Sequence, residues 1–222
     1  MGKKIILTGA TGLVGEGVLL ACLSNPQISE VLIVGRKATG IKHQKLKELL
    51  VGSFFNLHEV ETQLTGYDAC FYCAGISSAG MNEKDYTSIT YDTTLAFAQV
   101  LLKTNPNMSF CFVSGSHTDG SEKGRVMWAR VKGKTENTLS KMAFRQIYHF
   151  RPGLMKPTEG QKNVKGYYKI LGKMYGFFKL LFPNHVSTMN EVGQAMINSI
   201  TIGYPKQILE VTDIKTLAKM TN

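Results

Sequence analysis

The stretch KKIILTGATGLVGEGVLLACLSN, residues 3–25, carries the pattern on which the fold depends. It begins with a short β-branched run, passes through a glycine-rich turn and continues as an apolar helix that ends before Pro26. Gly9, Gly12 and Gly15 follow the spacing GxxGxxG between the strand and the helix. The first glycine permits a tight turn, the second lets a pyrophosphate approach the backbone, and the third lets the helix pack closely. The stretch therefore predicts a dinucleotide-binding turn, in which free N–H groups at the helix start hold phosphate oxygens.

Strands and helices alternate along the rest of the chain, which predicts a parallel sheet covered by helices on both faces. The predicted strands lie in or near residues 3–8, 30–36, 55–60, 68–75, 109–116, 146–153 and 207–211. The predicted helices follow the glycine turn and cover residues 42–50, 83–103, 124–142, 164–182, 189–200 and the C-terminus. No linker, repeat or low-complexity segment interrupts this series. We therefore predict an α/β fold, a three-layer doubly wound parallel sheet, in a single domain over residues 1–222.

Composition favours an ordinary globular protein: 222 residues with 43% hydrophobic and 19% charged content can bury a sizeable core. The sequence shows neither an export signal nor an apolar run long enough to cross a membrane, so we expect a cytoplasmic location. Four cysteines are too few for a disulfide scaffold of this size, and reduced packing thiols are expected. Cys70 and Cys73 match a CxxC spacing, but on a strand they point to opposite faces and no second pair follows. We expect no metal site.

The formal charge of +10 requires an anionic partner or a solvated basic surface. A phosphate-bearing small ligand is sufficient to account for it. Neither a recognition helix, a zinc finger nor an aromatic RNA platform accompanies the charge, so no nucleic-acid partner is expected.

The end of the second strand indicates which cofactor the turn would bind. An acidic residue there binds the ribose hydroxyls of NAD, whereas a basic residue accommodates the 2′-phosphate of NADP. This sequence has Arg36 and Lys37 at that place. An arginine can form a forked pair of hydrogen bonds with a phosphate, so NADP is predicted, with NAD as the alternative. A solvated basic pair at a strand end is the competing interpretation.

The motif TGATGLVG resembles the TGxxGxxG of the extended and atypical short-chain dehydrogenase/reductases, the branch similar to NAD-dependent epimerases and dehydratases, and the resemblance covers nearly the whole chain. It implies an NAD(P)-binding Rossmann fold with a small helical C-terminal extension. YCAG (72–75) resembles the end of the family's fourth strand, and Asp68 resembles an acidic position near adenine, although a strand-start turn residue is an equal interpretation. The cofactor-binding residues implied are Thr8, Gly9, Thr11, Gly12, Leu13, Gly15, Arg36, Lys37, Ala74, Gly75 and Lys132.

The family's catalytic group combines a serine, a tyrosine and a lysine. The serine hydrogen-bonds the substrate oxygen, the tyrosine transfers the proton, and the lysine lowers the tyrosine pKa and holds the ribose. FVSGSHTDG resembles the serine segment, and we choose Ser116 over Ser114. WARVKGKTE resembles the tyrosine-lysine helix, with Lys132 in the lysine position and Trp128 in the tyrosine position. An indole N–H donates a hydrogen bond but does not titrate, so proton transfer through residue 128 is excluded.

A different proton source is therefore needed if the chain is an enzyme. The helix 83–103 also lacks the asparagine that many family members use in a proton relay. The candidates are water, His117, Tyr86 and Tyr91, of which His117 has the pKa for acid–base work. Lys132 can still bind ribose hydroxyls without the tyrosine.

The C-terminal part resembles the family's substrate region, which we place at about residues 152–205, after the FRPG turn (150–153). It is too short for a nucleotide-sugar domain, which favours a small-molecule substrate. The predicted helix 164–182 is amphipathic, with Lys162, Lys165, Lys169 and Lys173 on one side and aromatic side chains on the other. Three interpretations stay open: a lid over the core, a homodimer face and a contact with a membrane surface.

Two functions are compatible with these residues. The first is an NADP(H)-dependent oxidoreductase or epimerase/dehydratase-like enzyme acting on a small carbonyl or hydroxyl substrate, with Ser116, Lys132 and His117 as catalytic residues. The second is an NADP(H)-binding regulator or scaffold that has lost catalysis. The glycine turn supports both, and Trp128 favours the second.

Overall fold

The computed structural model describes residues 2–164 and 175–221. It confirms the predicted α/β class, with strands and helices alternating along the chain. The strands are β1 (Lys3–Thr8), β2 (Ile28–Gly35), β3 (Leu46–Leu50), β4 (Ala69–Tyr72), β5 (Ser109–Val113), β6 (Gln146–Phe150), β7 (Leu154–Lys156), β8 (Val186–Thr188) and β9 (Ile208–Leu209). The α-helices are α1 (Leu13–Ser24), α2 (Glu83–Thr87), α3 (Thr93–Thr104), α4 (Met127–Leu139), α5 (Tyr175–Leu181), α6 (Met189–Thr201) and α7 (Val211–Ala218).

Seven parallel strands form the central sheet in the order β3-β2-β1-β4-β5-β6-β9, and β7 pairs with β8 in a separate ribbon. The strand order reverses direction between β1 and β4, which makes the carboxyl ends of these two strands the switch point of the sheet. Successive side chains of β1 alternate between two apolar cores: Ile5 and Leu7 pack with α1, α6 and α7, whereas Ile6 packs with α3. The three-layer prediction is confirmed.

Two predicted elements between β2 and β4 are wrong. The segment predicted as a helix over 42–50 contains β3, which pairs with β2 from Val31↔Leu46 to Gly35↔Leu50. The segment predicted as a strand near 55–60 leads into a 3₁₀ helix, His58–Leu64, instead. Leucine, lysine and glutamate favour a helix locally, but the free edge of β2 supplies backbone hydrogen bonds that override this preference.

The predicted helix 83–103 is present with one irregularity. A π-helical turn, Ser88–Asp92, joins α2 to α3. The C-terminal helix predicted for 164–182 lies partly outside the described residues, and its described end is α5. Tyr175 of α5 is buried, whereas the large apolar side chains that follow it are exposed: Phe177, Leu180, Leu181 and Phe182. This end of the helix covers little of the core, so the dimer-face and membrane-surface interpretations stay predictions.

A buried ion pair joins α4 to the carboxyl end of β6. The Arg151 guanidinium donates from Nε to Glu136 Oε1 at 3.0 Å and from a terminal nitrogen to Glu136 Oε2. The Glu136 side chain is 2% exposed, and Arg151 also contacts the half-exposed Glu210 at 3.1 Å. A carboxylate in such a position is stable only while its partner is present.

We expect Arg151→Met to lower the free energy of unfolding by about 3–5 kcal/mol, because it leaves the Glu136 charge buried without compensation. The matched control is Lys47→Met, which breaks the pair between Lys47 and Glu30 where the lysine side chain is 63% exposed, and should cost at most about 1 kcal/mol. Urea unfolding of both variants measures the difference. Equal losses would contradict a structural role for the Glu136–Arg151 pair.

Candidate functional site

The glycine turn lies at the switch point, between the ends of β1 and β4. The buried hydroxyl of Thr8, the last residue of β1, accepts a hydrogen bond from the Ala74 N–H at 3.1 Å. Gly9 has φ +73°, and a Cβ added there would lie 2.6 Å from backbone atoms of Cys73 and Ala74. The turn therefore packs against the end of β4 at a distance that only glycine allows.

The other two glycines have different environments. A Cβ on Gly15 would lie 2.1 Å from the Gly9 carbonyl oxygen, so the first turn of α1 rests directly on the glycine turn. A Cβ on Gly12 would meet only that same oxygen, at 3.3 Å, and would otherwise enter open space. The start of α1 therefore offers its free N–H groups and a clear approach to an anion, and Thr11 and Gly12 are exposed beside it. The residues present fit a dinucleotide pyrophosphate.

Arg36 and Lys37 follow the carboxyl end of β2 and both are exposed. They lie at the same edge of the sheet as the glycine turn, because the strands are parallel. Asp68 lies at the opposite edge: its carboxylate accepts hydrogen bonds from the Lys4 N–H at 2.8 Å and from Lys3 Nζ at 3.0 Å. The adenine-proximal interpretation of Asp68 is thus wrong, and the strand-start interpretation is correct. The Asp68 carboxylate joins the start of β4 to the start of β1. Resemblance to the family alone did not distinguish this position from one near the adenine.

The segment after β5 contains the predicted serines. Ser114 is buried, and its hydroxyl shares a 2.7 Å hydrogen bond with the Thr118 hydroxyl. The half-buried Ser116 donates from Oγ to the Arg151 carbonyl oxygen at 3.3 Å, and its N–H bonds to the Pro152 carbonyl. Ser116 is therefore held against the end of β6, and its catalytic role stays a prediction.

Helix α4 directs Lys132 and Trp128 toward this segment. Lys132 Nζ donates to the Ser114 carbonyl at 3.1 Å and to the Val113 carbonyl at 3.3 Å. The Trp128 ring, one helical turn earlier, would come within 3.7 Å of a Cβ placed on Gly115. Residues four apart share one face of a helix, so both side chains reach the carboxyl end of β5. The structure brings Lys132, Trp128 and the two serines together.

Lys132 has an unusual protonation equilibrium. Burial lowers its pKa from 10.5 to about 8, because the charged ammonium loses contact with water. The Glu136 carboxylate, one turn further along α4, opposes this shift. The amine is therefore a group that can exchange a proton near neutral pH.

The other proton-donor candidates have less suitable positions. Tyr91 shares a hydrogen bond with the Thr138 hydroxyl at 3.3 Å and lies under Lys134 Nζ, on the face of α4 away from Lys132. Burial raises the pKa of Tyr86, which is 2% exposed. His117 is exposed, has φ +67°, and its ring stacks on that of His185 with 6.2 Å between centroids.

The cysteines are poorly suited to redox or metal chemistry. Cys22, Cys70 and Cys111 are fully buried and unbridged, and burial raises the pKa of each thiol, so the reactive thiolate is disfavoured. No helix among the described residues is long and apolar enough to cross a bilayer.

Sequence reasoning missed two residues near the glycine turn, Glu16 and Gln161, and a third, His185, beside the segment after β5. Glu16 is 2% exposed, although it belongs to the first turn of α1. Its carboxylate and the side chain of Gln161 join α1 to the segment 158–163, and His185 faces His117. The sole local signal was a carboxylate on an otherwise apolar helix. Its partners lie about 146 positions away.

A parallel sheet with this strand order, together with a glycine turn at its switch point, defines a nicotinamide-dinucleotide-binding Rossmann protein. The family model of NAD-dependent epimerases and dehydratases matches residues 5–149. The chain belongs to this NAD-dependent epimerase/dehydratase family, which confirms the resemblance inferred from the glycine motif.

Two fungal relatives cover most of the chain. It is 25% identical to the Scheffersomyces stipitis "Protein FMP52-2, mitochondrial" over 100% of this chain and 98% of that protein. It is 22% identical to the Emericella nidulans "Protein fmp52, mitochondrial" over 88% and 86%, respectively. These names point to mitochondria, and the cytoplasmic prediction is therefore wrong. The cytoplasmic prediction relied on the lack of an apolar export or membrane-spanning segment. Mitochondrial targeting segments are instead amphipathic and basic, and their composition resembles that of an ordinary surface helix.

Solved structures share the fold at low sequence identity. A Saccharomyces cerevisiae short-chain dehydrogenase/reductase has a TM-score of 0.66 and 16% identity, covering 98% of both chains. The Methanobrevibacter ruminantium UDP-N-acetylglucosamine 4-epimerase has a TM-score of 0.66 and 15% identity, covering 93% of this chain but 75% of the epimerase.

We expect Gly12→Val to abolish NADPH binding while the protein stays folded. The backbone at Gly12 is extended, at φ −101° and ψ 168°, which valine adopts readily, and the added side chain would occupy the space above the turn. Isothermal titration calorimetry measures the affinity, and a thermal melt measures the fold. The emission of Trp128, the single tryptophan, gives a second binding signal.

The matched control is Gly176→Val in α5, where an added Cβ would also meet open space. It should leave the affinity for NADPH unchanged. Unaltered NADPH affinity in Gly12→Val would refute binding at the glycine turn.

Proposed function

We propose that the chain is an NADP(H)-dependent oxidoreductase acting on a small carbonyl or hydroxyl compound, with Lys132 in place of the family's tyrosine as the proton-transferring residue. The observation that carries this proposal is the position of the Lys132 amine. It lies at the end of β5, on the helix face that it shares with Trp128, and its pKa is about 8. Among the candidates for the missing acid, it combines a position at the site with a suitable pKa.

Binding of the cofactor is assigned to the ends of three strands. The glycine turn after β1 and the start of α1 hold the pyrophosphate, and Ala74 and Gly75 after β4 line the ribose. Arg36 and Lys37 after β2 supply the positive charge that a 2′-phosphate requires, which supports NADP over NAD. Both side chains are exposed, so a phosphate can reach them.

Catalysis by this chain would require one proton to move with the hydride. A reduced nicotinamide held by the glycine turn would supply the hydride for such a reduction. The Lys132 ammonium donates a proton from Nζ to the carbonyl oxygen, which gives an alcohol and a neutral amine that regains its proton from water. The carbonyl groups of Val113 and Ser114 hold Nζ in place during this exchange. The Trp128 indole lies beside Gly115, on the same helix face as Lys132.

The matched part of the fold favours a small substrate. It covers 98% of the short-chain dehydrogenase/reductase but 75% of the nucleotide-sugar epimerase.

A second candidate function is an NADP(H)-binding regulator without catalysis. Trp128 favours it, because the residue at this position cannot transfer a proton. The two functions share the cofactor and differ in the role of Lys132.

We expect Arg36→Asp to shift the preference from NADPH toward NADH, because it removes the forked donor and places a negative charge near the 2′-phosphate. The NADPH dissociation constant should rise by at least about tenfold, while that for NADH changes little. Lys141→Asp carries the same charge change at an exposed position beyond the end of α4 and is the control. Equal weakening of both cofactors in Arg36→Asp would count against the assignment.

We expect NADPH oxidation with a panel of small aldehydes and 9,10-phenanthrenequinone, and Lys132→Met should lower kcat at saturating NADPH by about 10²- to 10⁴-fold. Lys134→Met, on the face of α4 occupied by Tyr91, is the control and should retain activity. The acid form of Lys132 exists below its pKa of about 8. Carbonyl reduction should therefore be constant below that pH and fall about tenfold per pH unit above it.

Two results would reject catalysis by Lys132. Equal kcat in Lys132→Met and the wild type would assign the proton to another group. NADPH binding without any oxidation across the panel, together with reduction gained in Trp128→Tyr, would favour the regulator.

A further inference from the structure

A buried carboxylate joins the cofactor turn to a distant part of the chain. Glu16 accepts hydrogen bonds from the Lys162 N–H on Oε1 and from the Asn163 N–H on Oε2, each at 2.7 Å. The residue is 2% exposed. Hydrogen bonds from N–H groups to a carboxylate are among the stronger ones in proteins, because the acceptor is charged. These two backbone donors are thus matched to the two carboxylate oxygens.

Gln161 provides a second connection between the same two parts. Its Nε2 donates to the Leu13 carbonyl at 2.7 Å, and its Oε1 accepts from the Thr158 N–H at 2.7 Å. A Cβ added to Gly17 would lie 3.2 Å from Gln161 Oε1, so the glycine leaves the room that this side chain needs. We call residues 158–163, held on the first turn of α1 by Glu16 and Gln161, the docked segment.

The first turn of α1 therefore has two tasks. Its free N–H groups are the donors for a pyrophosphate, while Leu13 and Glu16 hold the docked segment. A negative charge in the first turn of a helix is favourable, but an unpaired carboxylate beside a pyrophosphate would repel it. In the docked arrangement the Glu16 charge is directed toward the donors of residues 162 and 163.

We propose that Glu16 is a positioning residue that couples dinucleotide binding at the glycine turn to the docking of residues 158–163. Release of the segment frees a carboxylate next to the pyrophosphate, so the dinucleotide binds more tightly to the docked form. By linkage, the bound dinucleotide stabilises the docked segment by the same factor. The segment follows β7 and lies in the region that we assign to the substrate. The coupling depends on cofactor binding and is independent of catalysis.

Trypsin cleavage after Lys162 provides a direct test, because the N–H of the Lys162–Asn163 peptide bond is held by Glu16. Cleavage requires this bond to leave Glu16, so its rate follows the population of the undocked form. We expect Glu16→Gln to increase the rate of cleavage at Lys162 by about tenfold, because the carboxamide has a single oxygen acceptor for the two backbone N–H donors and its NH2 group would face the other donor. Mass spectrometry of the peptide that ends at Lys162 measures this rate. Glu59→Gln makes the same charge change at a side chain that is 85% exposed and should leave the rate unchanged.

Saturating NADPH should slow the cleavage of the wild type at Lys162 and have a much smaller effect on Glu16→Gln. The dissociation constant of Glu16→Gln for NADPH, from calorimetry, should stay close to that of the wild type, because the variant has no carboxylate to free beside the pyrophosphate. Gln161→Ala offers a second variant if Glu16→Gln does not fold. Hydrogen exchange at the amides of residues 162 and 163 is then the readout, since it does not depend on how trypsin tolerates the neighbouring residue.

Equal cleavage of Glu16→Gln and the wild type without NADPH would overturn the docking role of Glu16. Unchanged cleavage of the wild type at saturating NADPH would overturn the coupling. Failure of NADPH to bind the wild type would overturn the coupling and the cofactor assignment together, whereas loss of activity alone would bear only on Lys132.

Discussion

The site depends on one steric constraint, the contact between the glycine turn and the first turn of α1. The Gly9 carbonyl occupies the place that a Cβ on Gly15 would need, at 2.1 Å, and Gly9 itself is pressed against the end of β4. Backbone packed this closely leaves the N–H groups at the start of α1 pointing outward, with no side chain between them and an anion. The strand order then places this turn between the ends of β2 and β4, with the end of β5 one strand further along the sheet.

The same contact explains why α1 can serve as a junction. Its first turn packs against the Gly9 carbonyl. The same turn is hydrogen-bonded to the docked segment through Gln161 and Glu16, so it cannot shift without moving that segment. A helix held in this way transmits a change at its start to whatever its side chains bind. The glycine turn and the docked segment thus meet on one helical turn, although they are far apart in the sequence.

Sequence reasoning succeeded where the decisive interactions are local. The strand, turn and helix of residues 3–25 follow from glycine spacing and apolar periodicity, and the four-residue separation of Trp128 and Lys132 fixes their common face. It failed where distant partners decide. The segment 42–50 has helical propensity, but pairing with β2 makes part of it a strand. Glu16 gains its role from N–H groups contributed 146 and 147 residues later, and no local pattern encodes such partners.

Trp128 stands where the family has a tyrosine, and α4 is a regular helix there. The difference therefore concerns the titration of Lys132 and not the course of the backbone. A tyrosine beside a lysine would share the proton with it, and each would shift the pKa of the other. The indole cannot ionise, so desolvation and the Glu136 carboxylate govern the Lys132 amine, whose pKa falls to about 8. The Trp128 ring lies next to Gly115, within 3.7 Å of a Cβ placed there. In the proposed mechanism, the position that lacks the family's acid therefore lies one helical turn from an amine whose pKa suits the same proton transfer.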